Sequence, residues 1–164
     1  MILSFSGHRP DKLGGEYKMD GPISNWISEE IDKVLIEHKP ESGIVGMALG
    51  VDMLAAVCLI YRKIPIIAAI PFKGQECMWP EESQDLYNKI LSHKLVTRRY
   101  ICDPGYAAYK MQTRNEWMVD YSTDLLAVWD ESSGGTANCI RYAIKKNKNI
   151  IHIDPIDYID KTML

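Results

Sequence analysis

The segment Ser132–Thr136 combines hydroxyl side chains with two glycines directly after an apolar stretch, in the order Ser-Ser-Gly-Gly-Thr. Glycines at a strand-to-helix turn let backbone N–H groups approach a phosphate, and the N-terminus of the next helix adds partial positive charge. We therefore predict phosphate contacts from four residues of this turn: Ser133, Gly134, Gly135 and Thr136. The alternative is a plain tight turn in which Thr136 is the N-cap of the helix.

A second glycine turn, Gly46-x-x-x-Gly50-x-Asp52, precedes another predicted helix. Its short spacing lets the main chain pass close to a ligand before that helix begins. The turn lacks the Gly-Lys-Ser/Thr of a Walker A motif and the G-x-G-x-x-G of a dinucleotide fold, so the usual ATPase and dehydrogenase functions are disfavoured. Asp52 either binds a ribose hydroxyl or caps the helix, and the sequence leaves both open.

Arg114 and Asn115 lie within a predicted helix in which Met111, Asn115 and Met118 share one face by their i, i+4, i+7 spacing. An asparagine on an apolar stripe needs a polar partner. The adjacent Arg114 offers a planar group suited to a phosphate or a carboxylate. A surface ion pair remains the alternative for Arg114, and both methionines are expected in the core.

Two further groups of candidates follow other strands. His8 and Arg9 come directly after an apolar run, where a donor or a cation would face the ligand crevice, although a structural role for His8 stays open. Phe72 and Trp79 lie in a polar loop with Gln75, where their rings would either stack on a base or form a lid that packs on the domain.

Short apolar runs alternate along the chain with amphipathic stretches, which is typical of βα units around a mainly parallel sheet. The runs predict strands at Ile2–Ser6, Gly43–Ala48, Ile64–Ile70, Lys94–Ile101, Asp124–Trp129 and Asn149–Ile153. The amphipathic stretches predict helices at Ser24–His38, Asp52–Arg62, Glu81–Ser92, Ala107–Tyr121 and Thr136–Lys146. We predict a single domain over residues 1–164 with a Rossmann-like, doubly wound α/β fold in three α/β/α layers. Ligands of such sheets bind outside the carboxyl ends of the strands, so the loops Pro10–Gly21 and Phe72–Pro80 are expected to border the site.

The composition excludes several other classes of protein. With 46% hydrophobic and 25% charged residues in 164, the chain fits one globular domain. A net charge of −3 gives no extended basic surface, so we expect no long nucleic acid as a partner. Its cysteines and histidines lack the spacing of a metal site. No apolar run is long enough for a signal peptide or a membrane span, so we expect a cytoplasmic protein with no membrane partner.

Six motifs in this order resemble the SLOG superfamily of Rossmann-like nucleotide-binding proteins, most closely its YpsA-like (DUF1273) branch, over nearly the whole chain. They are Ser6-Gly7-His8-Arg9-Pro10, Gly46-Met47-Ala48-Leu49-Gly50-Val51-Asp52, Ala69-Ile70-Pro71-Phe72-x-Gly74-Gln75, Trp79-Pro80, Met111-Gln112-x-Arg114-Asn115-x-Trp117-Met118-Val119-Asp120 and Gly134-Gly135-Thr136-Ala137-Asn138-Cys139. The resemblance implies a nucleotide-derived ligand, such as ADP-ribose, an NAD-like molecule or a cyclic nucleotide, bound by a sensor or a signal-sequestering module. It also implies a homodimer or a larger homo-oligomer, and no required cofactor.

The motifs and the resemblance together give the candidate ligand-binding residues: Ser6, Gly7, His8, Arg9, Gly46, Gly50, Asp52, Pro71, Phe72, Gln75, Trp79, Arg114, Asn115, Ser133, Gly134, Gly135, Thr136 and Asn138.

The LOG-type phosphoribohydrolases, which are enzymes of the same superfamily, are similar to this chain at the Arg114–Met118 stretch and at the glycine turn. Cys139, however, stands where those hydrolases carry a catalytic glutamate. A thiol cannot replace that carboxylate, so we expect a binding module and assign no catalytic residue. The rival hypothesis is an N-glycosidase that releases the base of a nucleoside monophosphate, with Arg114 and one of Asp52, Asp120 or Glu116 in the chemistry. A third is a protein-interaction role regulated by the pocket.

Overall fold

The fold is built on a six-stranded sheet in which every neighbouring pair of strands is parallel. A computed structural model describes residues 1–158. The strands are β1 (Ile2–Gly7), β2 (Ser42–Val45), β3 (Ile66–Ile70), β4 (Val96–Tyr100), β5 (Asp124–Val128) and β6 (Asn149–Ile153). They lie in the order β4-β3-β2-β1-β5-β6.

Helices cover both faces of this sheet. They are α1 (Pro22–His38), α2 (Val51–Tyr61), α3 (Glu81–Leu91), α4 (Ala108–Asp120) and α5 (Gly135–Lys145), and a 3-10 turn spans Pro10–Lys12. Helices α1, α2 and α3 share one hydrophobic core, whereas α4 and α5 pack on the opposite face. This arrangement confirms the predicted Rossmann-like α/β/α fold.

The central strands are buried on both faces, as the apolar runs predict. Leu126 and Val128 of β5 pack into the core beneath α1, α2 and α3, and the alternate residues Leu125 and Ala127 pack against α4 and α5. Successive side chains of a strand point to opposite faces, so one five-residue strand contributes to two cores. None of the helices within residues 1–158 is both long and apolar enough to cross a membrane.

The strand order fixes where a ligand site belongs. From β1 the chain moves outward through β2, β3 and β4, and it then returns to the other side of β1 to form β5 and β6. Ligands of open α/β sheets bind where the winding direction reverses, outside the carboxyl ends of the strands. The loops that follow β1 and β5 therefore frame the expected site.

The element boundaries differ from the predicted ones in two informative places. Strand β2 ends at Val45, because Gly46–Ala48 leave the sheet and Met47 adopts a left-handed φ of 58°. All three residues are buried, which is why their apolar character looks like a continued strand. Strand β4 is only Val96–Tyr100 and is largely exposed, since it is an edge strand paired with β3 alone.

Candidate ligand-binding crevice between strands β1 and β5

A crevice of about 200 Å³ lies at the switch point of the sheet, between the loops after β1 and β5 and beside α4. It brings together eleven of the predicted residues, namely Ser6, Gly7, His8, Arg9, Asp52, Arg114, Asn115, Ser133, Gly134, Gly135 and Thr136. Residues from four separate sequence motifs therefore meet in one small space.

The turn after β5 opens α5 with its backbone facing the crevice. Gly134 is the N-cap, with a φ of 142° that favours glycine, and no side chain of residues 1–158 caps the helix. A methyl group built on Gly135 would meet nothing within 4 Å, so this residue borders open space. Thr136 is the second helical residue, so its interpretation as the N-cap was wrong. The first N–H groups of α5 remain available for an anion.

Several side chains hold this turn in place from outside. The ammonium of Lys12 donates hydrogen bonds to Ser132 Oγ at 2.9 Å and to the Ser133 carbonyl at 2.7 Å. The indole N–H of Trp129 donates to the Ser132 carbonyl at 2.7 Å. The Ser132 N–H donates to Asp130 Oδ1 at 3.0 Å. The turn is thus fixed by contacts from the β1 loop as well as from its own strand.

His8 links the two strand ends that frame the crevice. It is 4% exposed, and its Nε2 lies 2.7 Å from Asp130 Oδ1 and 3.0 Å from the Asp130 backbone nitrogen. Depending on the tautomer, Nε2 donates to the carboxylate or accepts from the backbone N–H. Hydrogen bonds from Ser132, together with the nearby imidazole, lower the pKa of Asp130 to about 2. His8 therefore has the structural role left open above, although it also lines the crevice.

Arg114 is buried beneath the crevice and does not form the surface ion pair considered above. Its Nη1 donates to the carbonyls of Gly46 and Ala69, and its Nε donates to Asn115 Oδ1 at 2.9 Å. Asn115 thereby has the polar partner that its position required. Burial lowers the pKa of the guanidinium, and the negative charge of Asp52 opposes that shift.

Asp52 is the buried carboxylate of the crevice, 6% exposed. It is the second residue of α2, whose N-cap is Gly50, and its Oδ2 accepts the Ala48 N–H at 3.2 Å. Burial raises the pKa of Asp52, whereas Arg114 and the Ala48 N–H counteract that rise. Gly46 lies against both charged groups, since a methyl group there would collide with the Arg114 guanidinium and would lie 2.8 Å from Asp52 Oδ2.

Cys139, at the position of the hydrolase glutamate, is 2% exposed and does not line the crevice. Burial raises the pKa of its thiol to about 11, although a hydrogen bond with Ser6 opposes the shift. A thiol with this pKa is protonated near neutral pH, and the thiolate is the nucleophilic form. Cys139 therefore packs in the core between α4 and α5.

The structure does not bring seven predicted residues to the crevice lining: Gly46, Gly50, Pro71, Phe72, Gln75, Trp79 and Asn138. The Gln75 amide donates to the Gly46 and Met47 carbonyls, so it supports the turn from behind. The Phe72 and Trp79 rings pack against protein aromatic rings, which is the lid alternative rather than an exposed stacking platform.

Two glycines are required by packing. A methyl group on Gly7 would lie 2.5 Å from Val51, and one on Gly50 would lie 2.5 Å from the His8 carbonyl oxygen. The end of β1 and the start of α2 therefore touch backbone to backbone, and the Val51 N–H donates to the His8 carbonyl at 3.2 Å. Arg9, two residues after Gly7, and Asp52, two residues after Gly50, both line the crevice.

The sequence reasoning missed Lys12 and Asp130, and it placed Met111 in the core although this residue lines the crevice. Lys12 was detectable only as a cation in a loop expected to border the site. Among residues 1–158, no group of three or more His, Cys, Asp or Glu side chains is arranged to hold a metal ion.

The fold and the crevice define a Rossmann-like protein whose uncapped helix N-terminus and cationic side chains converge at the switch point. A model of the family described as "YspA SLOG family" matches residues 3–164, and the chain belongs to that family. The uncharacterized SPbeta prophage-derived protein YoqJ of Bacillus subtilis (strain 168) is 33% identical over 134 residues, which are 70% of this chain and 76% of YoqJ.

Two solved structures share the fold at low sequence identity. DNA processing protein A (DprA) of Streptococcus pneumoniae superposes with a TM-score of 0.68 at 16% identity over 92% of this chain. The chain spans about half of that protein, 49% of its length. DNA processing protein A of Helicobacter pylori, whose structure concerns single-stranded DNA binding, gives a TM-score of 0.67 at 16% identity over 99% of this chain and 72% of that one.

Proposed function

We propose that the crevice binds the phosphate of a nucleotide or a nucleotide-derived molecule, and that the protein senses or sequesters this ligand without transforming it. The observation that carries the proposal is the uncapped start of α5, where Gly135 borders open space and the preceding Gly134 lies next to the ammonium of Lys12. A helix N-terminus of this kind offers N–H donors and a partial positive charge to an anion.

The charges around the crevice support an anionic ligand. Arg9, Lys12 and Arg114 contribute three cations to the lining, whereas Asp11 and Asp52 contribute two carboxylates. Lys12 already lies at the β5 turn, so a bound phosphate would meet its ammonium without a large movement. Asp52 also lines the crevice, and its carboxylate could accept a hydrogen bond from a ribose hydroxyl of the same ligand.

The size of the crevice limits how much of the ligand it can enclose. Its volume of about 200 Å³ lies below the roughly 300–1,000 Å³ of ordinary small-molecule sites. A phosphate with its adjoining sugar suits this space better than an entire dinucleotide. We infer that the base, or the distal half of a molecule such as ADP-ribose, extends over the rim.

The test is isothermal titration of the full chain with AMP, ADP-ribose, NAD, cyclic nucleotides and inorganic phosphate. We expect at least one nucleotide to bind the parent protein. The Gly135→Ala variant should bind that nucleotide about tenfold or more weakly, because the added methyl group occupies the proposed position of the anion. Since that methyl group meets no protein atom within 4 Å, the variant should keep the stability of the parent protein. Failure of the folded protein to bind every compound would contradict the proposal.

Lys12→Met tests the electrostatic part of the site, with Lys33→Met as its matched control. Lys33 is an exposed residue of α1 that pairs with Glu30, outside the crevice. Loss of a charge-assisted hydrogen bond at Lys12 should weaken nucleotide binding roughly five- to tenfold. Equal effects of the two substitutions would show that only the overall charge of the protein matters.

Single-stranded DNA is a second candidate ligand, favoured by the fold shared with the DprA structures. A DNA strand presents the same phosphate chemistry, and its affinity falls steeply with salt because several phosphates are neutralised together. A labelled oligothymidine measured by fluorescence anisotropy distinguishes the two. Binding of the oligonucleotide but of no mononucleotide would replace the proposed ligand with a nucleic acid strand.

The N-glycosidase hypothesis rests on Asp52, a buried carboxylate with a raised pKa in a cleft, which is a feature of general acids. Its separate test is chromatographic assay for free base released from AMP or NAD. Base release that Asp52→Asn abolishes would establish catalysis, and intact nucleotide after prolonged incubation would leave binding as the function.

A further inference from the structure

A second and larger cavity, which we call the acidic cavity, lies on the far side of the β1 loop from the crevice. It measures about 450 Å³ and is bordered by residues 13–20 of the loop, by the start of α2 and by the start of α3. Its volume falls within the roughly 300–1,000 Å³ that is usual for small-molecule sites. None of its features is used by the nucleotide site proposed above.

The floor of the acidic cavity is apolar. Leu13, Met53 and Leu54 contribute side chains that are 1%, 1% and 2% exposed, and the partly buried Met19 and Leu86 extend this surface towards the rim. An apolar floor favours a ligand with a hydrocarbon or aromatic body, since each methylene transferred from water stabilises the complex.

The rim of the acidic cavity carries the opposite charge from the crevice. Four carboxylates, those of Glu16, Asp20, Glu81 and Glu82, face one ammonium, that of Lys18. The carboxylate of Glu16 is engaged, because it accepts the Ser24 N–H at 2.9 Å.

The side chains of Glu81 and Glu82, in contrast, have no hydrogen-bond or ion-pair partner among residues 1–158. They lie in the first turn of α3, where the helix dipole supplies about half of one positive charge. The two carboxylates outweigh that partial charge, so the rim attracts cations.

Ser83 adds an independent sign of a ligand. Its side chain lines the cavity and is nine-tenths buried, at 8% exposed, yet its hydroxyl makes no hydrogen bond to any of residues 1–158. The hydroxyl oxygen of Ser83 is not closed off, because Glu76 Oε2 is the only side-chain nitrogen or oxygen of residues 1–158 that is both fully buried and unpaired. It is therefore open to a polar group of a molecule bound in the cavity.

We propose that the acidic cavity is a second binding site, which takes a small organic cation with an apolar body. The protonated amine or guanidinium of the ligand lies at the rim near Glu81 and Glu82, its apolar body covers Leu13 and Met53, and a polar substituent reaches Ser83. Phosphate-bearing molecules are repelled from this site, so the two pockets select ligands of opposite charge.

The methionines of the chain allow each pocket to be observed separately by NMR. Met19 and Met53 line the acidic cavity, and Met111 lines the crevice. In the full chain labelled with ¹³C-methyl methionine, 2-phenylethylammonium should shift the Met19 and Met53 signals in a saturable way and leave Met111 unchanged. Phenylacetate, which has a similar body and the opposite charge, should shift none of them.

The charge dependence is tested with the double variant Glu81→Gln/Glu82→Gln and the control Glu37→Gln. Glu37 is an exposed residue of α1 outside the cavity. The double variant should weaken binding of 2-phenylethylammonium roughly tenfold, and the control should leave it unchanged. Circular dichroism establishes that each variant is folded.

Three results would overturn the proposal. The first is the absence of a saturable shift at Met19 and Met53, the second is equal binding of phenylacetate, and the third is undiminished affinity of the folded double variant. A nucleotide bound in the crevice should instead shift the Met111 signal of the same labelled protein, so loss of either proposed site is distinguishable from loss of the other.

Discussion

The crevice and the acidic cavity are lined by adjoining stretches of backbone but present opposite chemistry. Lys12 lines the crevice, and Leu13, the next residue, lines the cavity. Gly50 forms part of the cavity wall, while the His8 carbonyl oxygen that it touches belongs to a residue of the crevice. At the end of the tight turn Pro10–Lys12, consecutive side chains therefore line different pockets, so one loop contributes to both sites.

The two pockets also differ in how they are held together. The crevice is supported by buried polar side chains that bond to groups of other elements, such as Arg114 with the Gly46 carbonyl and His8 with the more exposed Asp130. The rim of the acidic cavity consists largely of surface carboxylates such as Glu81 and Glu82. Buried polar groups cost stability when a partner is removed, whereas surface charges cost little.

The largest effect is therefore expected from Arg114→Ala. Removing the guanidinium leaves the Gly46 and Ala69 carbonyls without a buried donor and leaves the buried Asp52 carboxylate without the nearby positive charge, so the free energy of unfolding should fall by about 3–5 kcal/mol. Urea denaturation followed by circular dichroism measures the loss. Glu82→Gln, the counterpart in the acidic cavity, should change stability by no more than about 0.5 kcal/mol. Similar losses of stability for both variants would contradict the view that buried polar groups support the crevice while surface charges form the rim of the acidic cavity.

The next effect concerns the wall that the two pockets share. Gly50→Ala places a methyl group 2.5 Å from the His8 carbonyl oxygen at a φ of 88°, a backbone conformation that L residues rarely adopt. We expect a loss of about 2–3 kcal/mol from strain and overpacking. Gly135→Ala is the matched control, with no clash and no positive φ. If Gly50→Ala unfolded with the stability of the parent protein, the backbone contact between Gly50 and His8 would have to be adjustable.

The smallest effect is a pH dependence that belongs to the crevice. The pKa of Asp130 is lowered to about 2, so its charge stabilises the fold above the pKa of the unfolded chain, near 4. That contribution is lost as the pH falls from about 4 towards 2. The stability difference between the parent protein and Asp130→Asn should thus be constant at higher pH and shrink across this window in urea titrations. If the stability difference between the two proteins did not change with pH, ionisation of the Asp130 carboxyl would not be its cause.

Much of the fold followed from the sequence because its signals are local. The isoleucines and valines of the strands, the amphipathic helices and the glycines at the strand exits each act within a few residues, so every predicted strand and helix exists. The predicted ends of the strands were less accurate where tertiary contacts, rather than the local sequence pattern, decide where a strand stops. Gly46–Ala48 are as buried as a central strand, yet they turn away from the sheet.

The candidate site was predictable in kind but not in all its members. The sequence identified the glycine turn at Ser132–Thr136, Arg114 and Asp52 as separate candidates, and the strand exits that border the site, but not the burial of Arg114 and Asp52. The sequence could not show that Phe72 and Trp79 pack away from the crevice. An aromatic residue in a polar loop is equally compatible with stacking on a base and with packing on the domain.

The succession of strands and helices along the chain, and the chemical groups available at each strand exit, could be predicted from local sequence patterns. Three contacts could not be predicted in this way: Lys12 with Ser133, His8 with Asp130 at a distance of 122 residues along the chain, and Leu13 with a cavity separate from that of Lys12. Local propensities act over a few residues, whereas these contacts join groups that come together only when the sheet winds around β1.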